Sequence, residues 1–164
     1  MTVRVSAVDW CEGGLSTEDS IAMARAFAAH GVDAIDVSTG QTVADEEPSF
    51  GRSYQTPFAD RIRNVAGVPT IAVGAISGYD DVNSIILAGR ADLCALGRAH
   101  LYDPAWTLHA AADQGVAMRW PVQFQRGSRK PPTGRSDGPR PRLELLRAAA
   151  TGGRHQRWRP TSTQ

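Results

Sequence analysis

The sequence predicts an α/β protein built on a parallel sheet, as four consecutive strand–helix units. Short β-branched runs alternate with amphipathic runs, and a glycine closes each helical stretch at Gly31, Gly67 and Gly89. Strand starts recur about every 30 residues, the size of a βαβ unit. The strands read as apolar on both faces, the pattern expected when helices cover a parallel sheet.

Each element has a local reason. "VRVSAVD", Val3 to Asp9, is a β-branched strand that leaves into Gly13-Gly14. "STEDSIAMARAFAAHG" follows as a helix: Ser16 or Thr17 can cap it, and Glu18 and Asp19 suit its positive start. Ile21, Ala24 and Ala28 recur at helical spacing, and Gly31 ends the run. "DAIDVSTG", Asp33 to Gly40, is the second strand. "TPFADRIRNVAG" is a helix closed by Gly67, and "PTIAVGAI", Pro69 to Ile76, is the third strand. "YDDVNSIILAG" is the next helix and "ADLCALG", Ala91 to Gly97, the fourth strand. A further helix spans Asp103 to Gly115, with an Asp cap and Pro104 in its first turn. "RWPVQFQRG" shows no clear periodicity.

Charge divides the chain. Residues 1 to 125 hold 8 Lys+Arg and 15 Asp+Glu, and residues 126 to 164 hold 10 and 2. The reading is a body at 1–127 and an Arg-, Pro- and Gly-rich tail at 128–164, too poor in apolar residues to offset its ordering entropy and so expected to be disordered. One weak helical patch interrupts that tail at Leu143 to Ala150. Cys11 and Cys94 stand far apart and match neither a redox pair nor a zinc spacing, which fits a reducing, cytoplasmic setting. No apolar run approaches the roughly 20 residues that span a bilayer.

Phosphate enters through the strand ends. Parallel α/β folds bind ligands at the carboxyl edge of the sheet. "AVGAIS" puts Gly74 at the third tip, and "ALGRAH" puts Gly97 and Arg98 at the fourth. A bare glycine lets an anion reach backbone N–H groups, and an arginine, which keeps its proton, adds a forked donor. Paired loops after the last two strands are the usual phosphate site of a TIM barrel.

The segments "VRVSAVDWCEGGLSTEDSIAMARAFAAHGVDAIDVSTG", "YQTPFADRIRN", "VPTIAVGAISG", "AGRADLCALGRAHLYDPAW" and "WPVQFQRG" together resemble the C-terminal half of the Old Yellow Enzyme family, over roughly residues 3 to 127. The wording is closest to NADPH dehydrogenases and to the flavin oxidoreductase domain of salicylyl-CoA 5-hydroxylase-like proteins. The resemblance implies the C-terminal (β/α)₄ half of a TIM barrel, FMN as cofactor, NAD(P)H as reductant and ene-reductase chemistry. It implies that Arg4 lies near the pyrimidine side of the flavin ring, that Gly74, Gly97 and Arg98 cradle the phosphate, and that Arg126 reaches into a neighbouring subunit's active site. Trp10, Trp106 and Trp120 are expected to pack helices and loops.

The same resemblance marks what the sequence does not carry. A whole barrel has eight strands and about 250 residues. The family's carbonyl-binding His/His or His/Asn pair and its proton-donating tyrosine have no matching positions, and Tyr54 and Tyr79 do not stand in for that tyrosine. No catalytic acid is therefore assigned, and a fragment, incomplete for catalysis alone, is the expectation. A four-stranded sheet has two open edges, so homo-oligomerisation or pairing with an N-terminal half-barrel is expected. Two other readings stay open: a phosphate-binding half-barrel without redox activity, and an interaction protein using the basic tail. The latter's nucleic-acid partner is disfavoured, because Trp158 alone interrupts the arginines.

Overall fold

The computed structural model describes residues 1–128. The expected tail at 128–164, with its Leu143–Ala150 patch, falls outside the described residues apart from Ser128. The chain divides into two compact units, Met1–Gly97 and a second that starts at Arg98.

The first unit carries β1 (Thr2–Ser6), α1 (Thr17–Ala29), β2 (Ala34–Ser38), α2 (Thr56–Arg61), β3 (Thr70–Ala72), α3 (Tyr79–Leu87) and β4 (Leu93–Cys94). A turn of π-helix at Ile62–Ala66 extends α2. The four strands form one sheet in the order β1-β2-β3-β4, every pair parallel. That is the expected (β/α)₄ succession, each helix returning the chain to the same end of the sheet.

Helix boundaries follow the local chemistry. The Ser16 hydroxyl caps α1 by accepting from the Asp19 amide, while the Asp19 carboxylate accepts from Ser16 N at 3.0 Å. These bonds satisfy donors that the first helical turn leaves orphaned, and donation from the Ser16 hydroxyl, then from its amide, holds the Asp19 carboxyl below its usual range. Gly67 closes the α2 extension at φ 72°, a left-handed angle that a side chain would resist.

The strands are shorter than their apolar runs. The fourth run, Ala91 to Gly97, gives only two strand residues, although Asp92 N donates to Thr70 O at 3.0 Å and Ala95 N to Ala72 O at 2.8 Å on either side. The expectation of strands apolar on both faces is corrected. Val3, Val5, Ala7, Ile35, Val37 and Ala72 point to one face and meet Ile21, Ala24, Ala59, Ile62 and Ile85 from the helices. Ile35, Val37 and Ile62 are fully buried there, each worth about 1.5–3 kcal/mol of transfer free energy. The other face carries Arg4, Ser6, Asp36, Ser38, Ile71 and Leu93, all partly or fully exposed, with Leu93 59% accessible. The period-two alternation in "RVS" and "IDVS" is the signature of a sheet covered on one side.

Ion pairs fix the amino edge of the sheet. Arg63 grips Asp92 with two donors, Nε at 3.0 Å and Nη2 at 3.1 Å, and its Nη1 donates to Gly89 O at 2.9 Å. The Asp92 carboxylate also accepts from Thr70 N at 2.9 Å, so one aspartate joins α2, β3 and β4. Its carboxyl is accordingly held below the usual range, Arg63 being the main cause. Arg90 pairs with Asp60 at 3.2 Å at the same edge.

The second unit contains α4 (Arg98–Tyr102), α5 (Trp106–Asp113) and a 3₁₀ turn at Val122–Gly127. The expected helix over 103–115 begins only at Trp106, because Asp103 forms a preceding turn: its carboxylate accepts from Ala105 N at 3.0 Å and its carbonyl from Trp106 N at 2.9 Å. His109 Nδ1 lies 2.7 Å from the same carboxylate. Trp106 stacks edge-on with His100 and Trp120 lies tilted on His109, which gives both tryptophans the packing roles expected of them. Among the described residues, no helix is long and apolar enough to cross a membrane.

Candidate functional site

Parallel topology brings every strand's carboxyl end to one edge, and the ladder sets which tips are neighbours. Ala72 is the register partner of Cys94, so Gly74 and Gly97 lie on adjacent strands a few residues beyond a shared rung. Two glycine-bearing loops therefore leave the sheet side by side.

The two glycines differ in surroundings. A Cβ built on Gly97 meets nothing within 4 Å, and the residue is exposed, so its backbone is open to an approaching group. Gly74 is closed on that side. A Cβ there would overlap the Gln55 amide, lying 2.8 Å from its Cδ and 2.9 Å from its Cγ, and the backbone sits at φ 102°. The glycine at position 74 is required by the protein's own packing, a reason the sequence reading did not supply. The next residue, Ala75, is also left-handed at φ 50°.

Neighbouring segments hold the β3 loop. Gln55 is 5% exposed; its Oε1 accepts from the Thr39 amide and, at 2.8 Å, from the Thr39 hydroxyl, and its Nε2 donates to Val73 O at 3.2 Å. Ser53 N donates to Ala75 O at 3.2 Å. On the far side, Asp81 accepts from Ser77 N at 3.0 Å, Gly78 N at 3.1 Å and Arg52 Nε at 2.6 Å. Burial pushes the Asp81 carboxyl up, and the Arg52 guanidinium with the Ser77 and Gly78 amides more than reverses this, leaving it below the usual range. Gln55, Arg52 and Asp81 were missed from the sequence. The readable signal for Asp81 was an acid three residues after Gly78, at the helix start; a lone glutamine before Thr56-Pro57 carried none.

Arg4 lies in the middle of β1 on the uncovered face. Its Nη1 is 3.6 Å from Asp36 Oδ2 and its Nε donates to Ser38 Oγ at 3.4 Å, both across the β1–β2 rungs. Asp36 Oδ1 is buried and unpartnered among the described residues. The result is a polar strip on the uncovered face of the sheet, with long contacts that spend two of the five guanidinium donors.

Arg98 is the first residue of α4 and is exposed. Arg126 sits in the 3₁₀ turn of the second unit, where it lines an open cleft of about 550 Å³ with Met118, Arg119, Trp120, Gln125 and Ser128. Tyr54 packs edge-on against Phe50 at 5.3 Å between ring centres. The Cys94 thiol is pushed up to about 11 by burial and by the charge of Asp81, so it stays protonated near neutral pH. Among the described residues, no group of three or more His, Cys, Asp or Glu is placed to hold a metal ion.

A cofactor phosphate fits these residues in part. Gly97 leaves open the space a Cβ would fill, and Arg98 follows it directly. Gly74 offers its loop backbone but not its Cα face.

Fold and edge together define a parallel β/α protein whose ligand end suits a phosphorylated cofactor. The chain belongs to the NADH:flavin oxidoreductase / NADH oxidase family, which it matches over residues 1–115. It is 44% identical over 124 residues to an NADPH dehydrogenase of Listeria innocua, covering 76% of this chain and 36% of that protein. The corresponding enzyme of Geobacillus thermodenitrificans is 41% identical over 127 residues, covering 77% and 37%. That of Geobacillus sp. strain WCH70 is 39% identical over the same length, with the same coverage. The chain thus spans little more than a third of the length of the curated relatives it matches.

Proposed function

We propose that this chain is the cofactor-anchoring part of an FMN-dependent NAD(P)H oxidoreductase of the ene-reductase type. One observation carries the reading: the tips of β3 and β4 leave a shared rung together, and the second ends in an open glycine followed by an arginine. In this reading the Gly97 backbone and the Arg98 guanidinium hold the FMN phosphate, helped by loop amides beyond Gly74. A dianionic ester matched to a fixed N–H and a forked cation gains charge-assisted hydrogen bonds that a neutral sugar would not.

Bound flavin supplies two-electron redox chemistry with a nicotinamide as donor, and the protein supplies position and charge. Arg4, on the open face, would place positive charge beside the ring's pyrimidine edge, where reduction accumulates negative charge. Asp36 and Ser38 orient that guanidinium across the rungs. Arg126 would serve a neighbouring subunit's substrate pocket.

None of the described residues is assigned as the proton donor, so substrate-side groups are assigned to additional polypeptide meeting the open face and the β1 and β4 edges. The test is purification with excess FMN followed by gel filtration. Retained flavin absorbance, lost in Arg98→Ala, is the expected result. A colourless protein that still binds inorganic phosphate would replace this reading with a non-redox phosphate-binding half-barrel.

A further inference from the structure

We infer that Gln55 is a positioning residue that sets the β3 phosphate loop, joining the tips of β2 and β3 through one side-chain amide; the inference rests on the reading of that loop as a cofactor anchor. Three observations converge. Gln55 is buried, yet each end of its amide is bonded: Oε1 takes the Thr39 amide and hydroxyl beyond β2, and Nε2 donates to Val73 O beyond β3. Its side chain fills the volume that a Cβ on Gly74 would need. Two residues before it, Ser53 N donates to Ala75 O, so the same short segment touches the loop twice.

The chemistry restricts the residue type. A carboxylate at 55 could accept from Thr39 but would repel Val73 O. Asparagine is one methylene too short to reach both strands. Alanine leaves the Thr39 N–H and the Val73 carbonyl to find other partners, and removes the wall against which the left-handed Gly74–Ala75 turn is set. The segment from Arg52 to Gln55 thus grips the loop from the β2 side while Asp81 grips it from α3, with Arg52 bonded to Asp81. A loop held at both ends presents its free amides in one arrangement, so a bound anion need not meet the cost of ordering them.

The experiment compares the full chain with Gln55→Ala and Gln55→Glu by residue-resolved amide hydrogen exchange and by FMN titration. In Gln55→Ala, the Thr39 and Ser53 amides should exchange at least ~10-fold faster, while the Ile35 and Asp92 amides, bonded elsewhere in the sheet, keep wild-type rates. FMN affinity should fall ~10-fold, the loss expected for one buried hydrogen-bonded group. Gln55→Glu adds a readout that bulk destabilisation would not give. Its protonated carboxyl can donate to Val73 O and accept from Thr39, so its affinity relative to wild type should recover as the pH is lowered, and fall again when the carboxyl ionises.

Unchanged Ser53 exchange in Gln55→Ala overturns the inference, whatever happens to FMN. So does a Gln55→Glu to wild-type affinity ratio that is flat with pH. If Gln55→Ala does not fold, Gln55→Glu decides alone. If the wild-type chain binds no FMN, the functional reading fails, and Ser53 exchange still decides whether Gln55 holds the loop.

Discussion

Replacing each strand-tip glycine by alanine separates packing from ligand recognition. At Gly97 the new methyl enters open space and the backbone angle is one that alanine adopts, so no clash arises. Folding should be unharmed or improved by about 0.4–1 kcal/mol, because the unfolded chain loses freedom. FMN affinity should move the other way. A methyl there keeps a phosphate oxygen from the backbone N–H, and a hydrogen bond to a charged group is worth about 1.5–3 kcal/mol, or roughly 10- to 150-fold in dissociation constant. Urea unfolding of the full chain gives the first quantity and quenching of flavin fluorescence the second. A Gly97→Ala protein as stable as the parent that binds FMN with unaltered affinity would refute the placing of the phosphate at this tip.

Gly74→Ala should instead be a folding defect. A left-handed backbone costs about 1–3 kcal/mol and overpacking against Gln55 about 1–3 more, so a loss of roughly 2–6 kcal/mol in urea unfolding is expected. Arg98→Ala should weaken FMN by about 1.5–3 kcal/mol; an unchanged dissociation constant in a flavin-binding chain would remove Arg98 from the site. Asp81 has a lowered carboxyl in the folded state, so the unfolded chain binds its proton first as the pH falls. Its contribution is complete above the ordinary aspartate range, near about pH 4, and disappears as the pH drops through the folded value. Asp81→Asn should therefore flatten the acid limb of a stability-against-pH curve measured by denaturant unfolding.

Much of the architecture was legible because it rests on local rules. Ser16 with Asp19, the closing glycines and the strand spacing specify where units begin and end, and each acts within a few residues. The faces of the strands were harder. "VRVS" and "IDVS" carry the alternation openly, yet their hydrophobic content suggests two covered faces, and only the placing of α1, α2 and α3 on one side shows which residues are left outside. Gly97 and Arg98 stand out as candidates from strand-end chemistry alone, and the structure places both in exposed positions. The true neighbour of Gly74 could not be read, since Gln55 is 19 positions away and its bonds to Thr39 and Val73 depend on tertiary contact. Arg52 was hidden for the same reason, its partner Asp81 lying 29 positions away, whereas the bonds of Asp81 to Ser77 and Gly78 are local.

The forked Arg63–Asp92 pair, with Arg90–Asp60 beside it, lies at the amino edge, far along the strands from the glycine tips. Strand order is thereby guarded at one rim, and the proposed anchor stands at the other. A designer could vary Gly97 alone and expect the scaffold to keep its register, because Ala95 and Leu96 still hold the ladder and the core while the fasteners are on the opposite hem of the fabric.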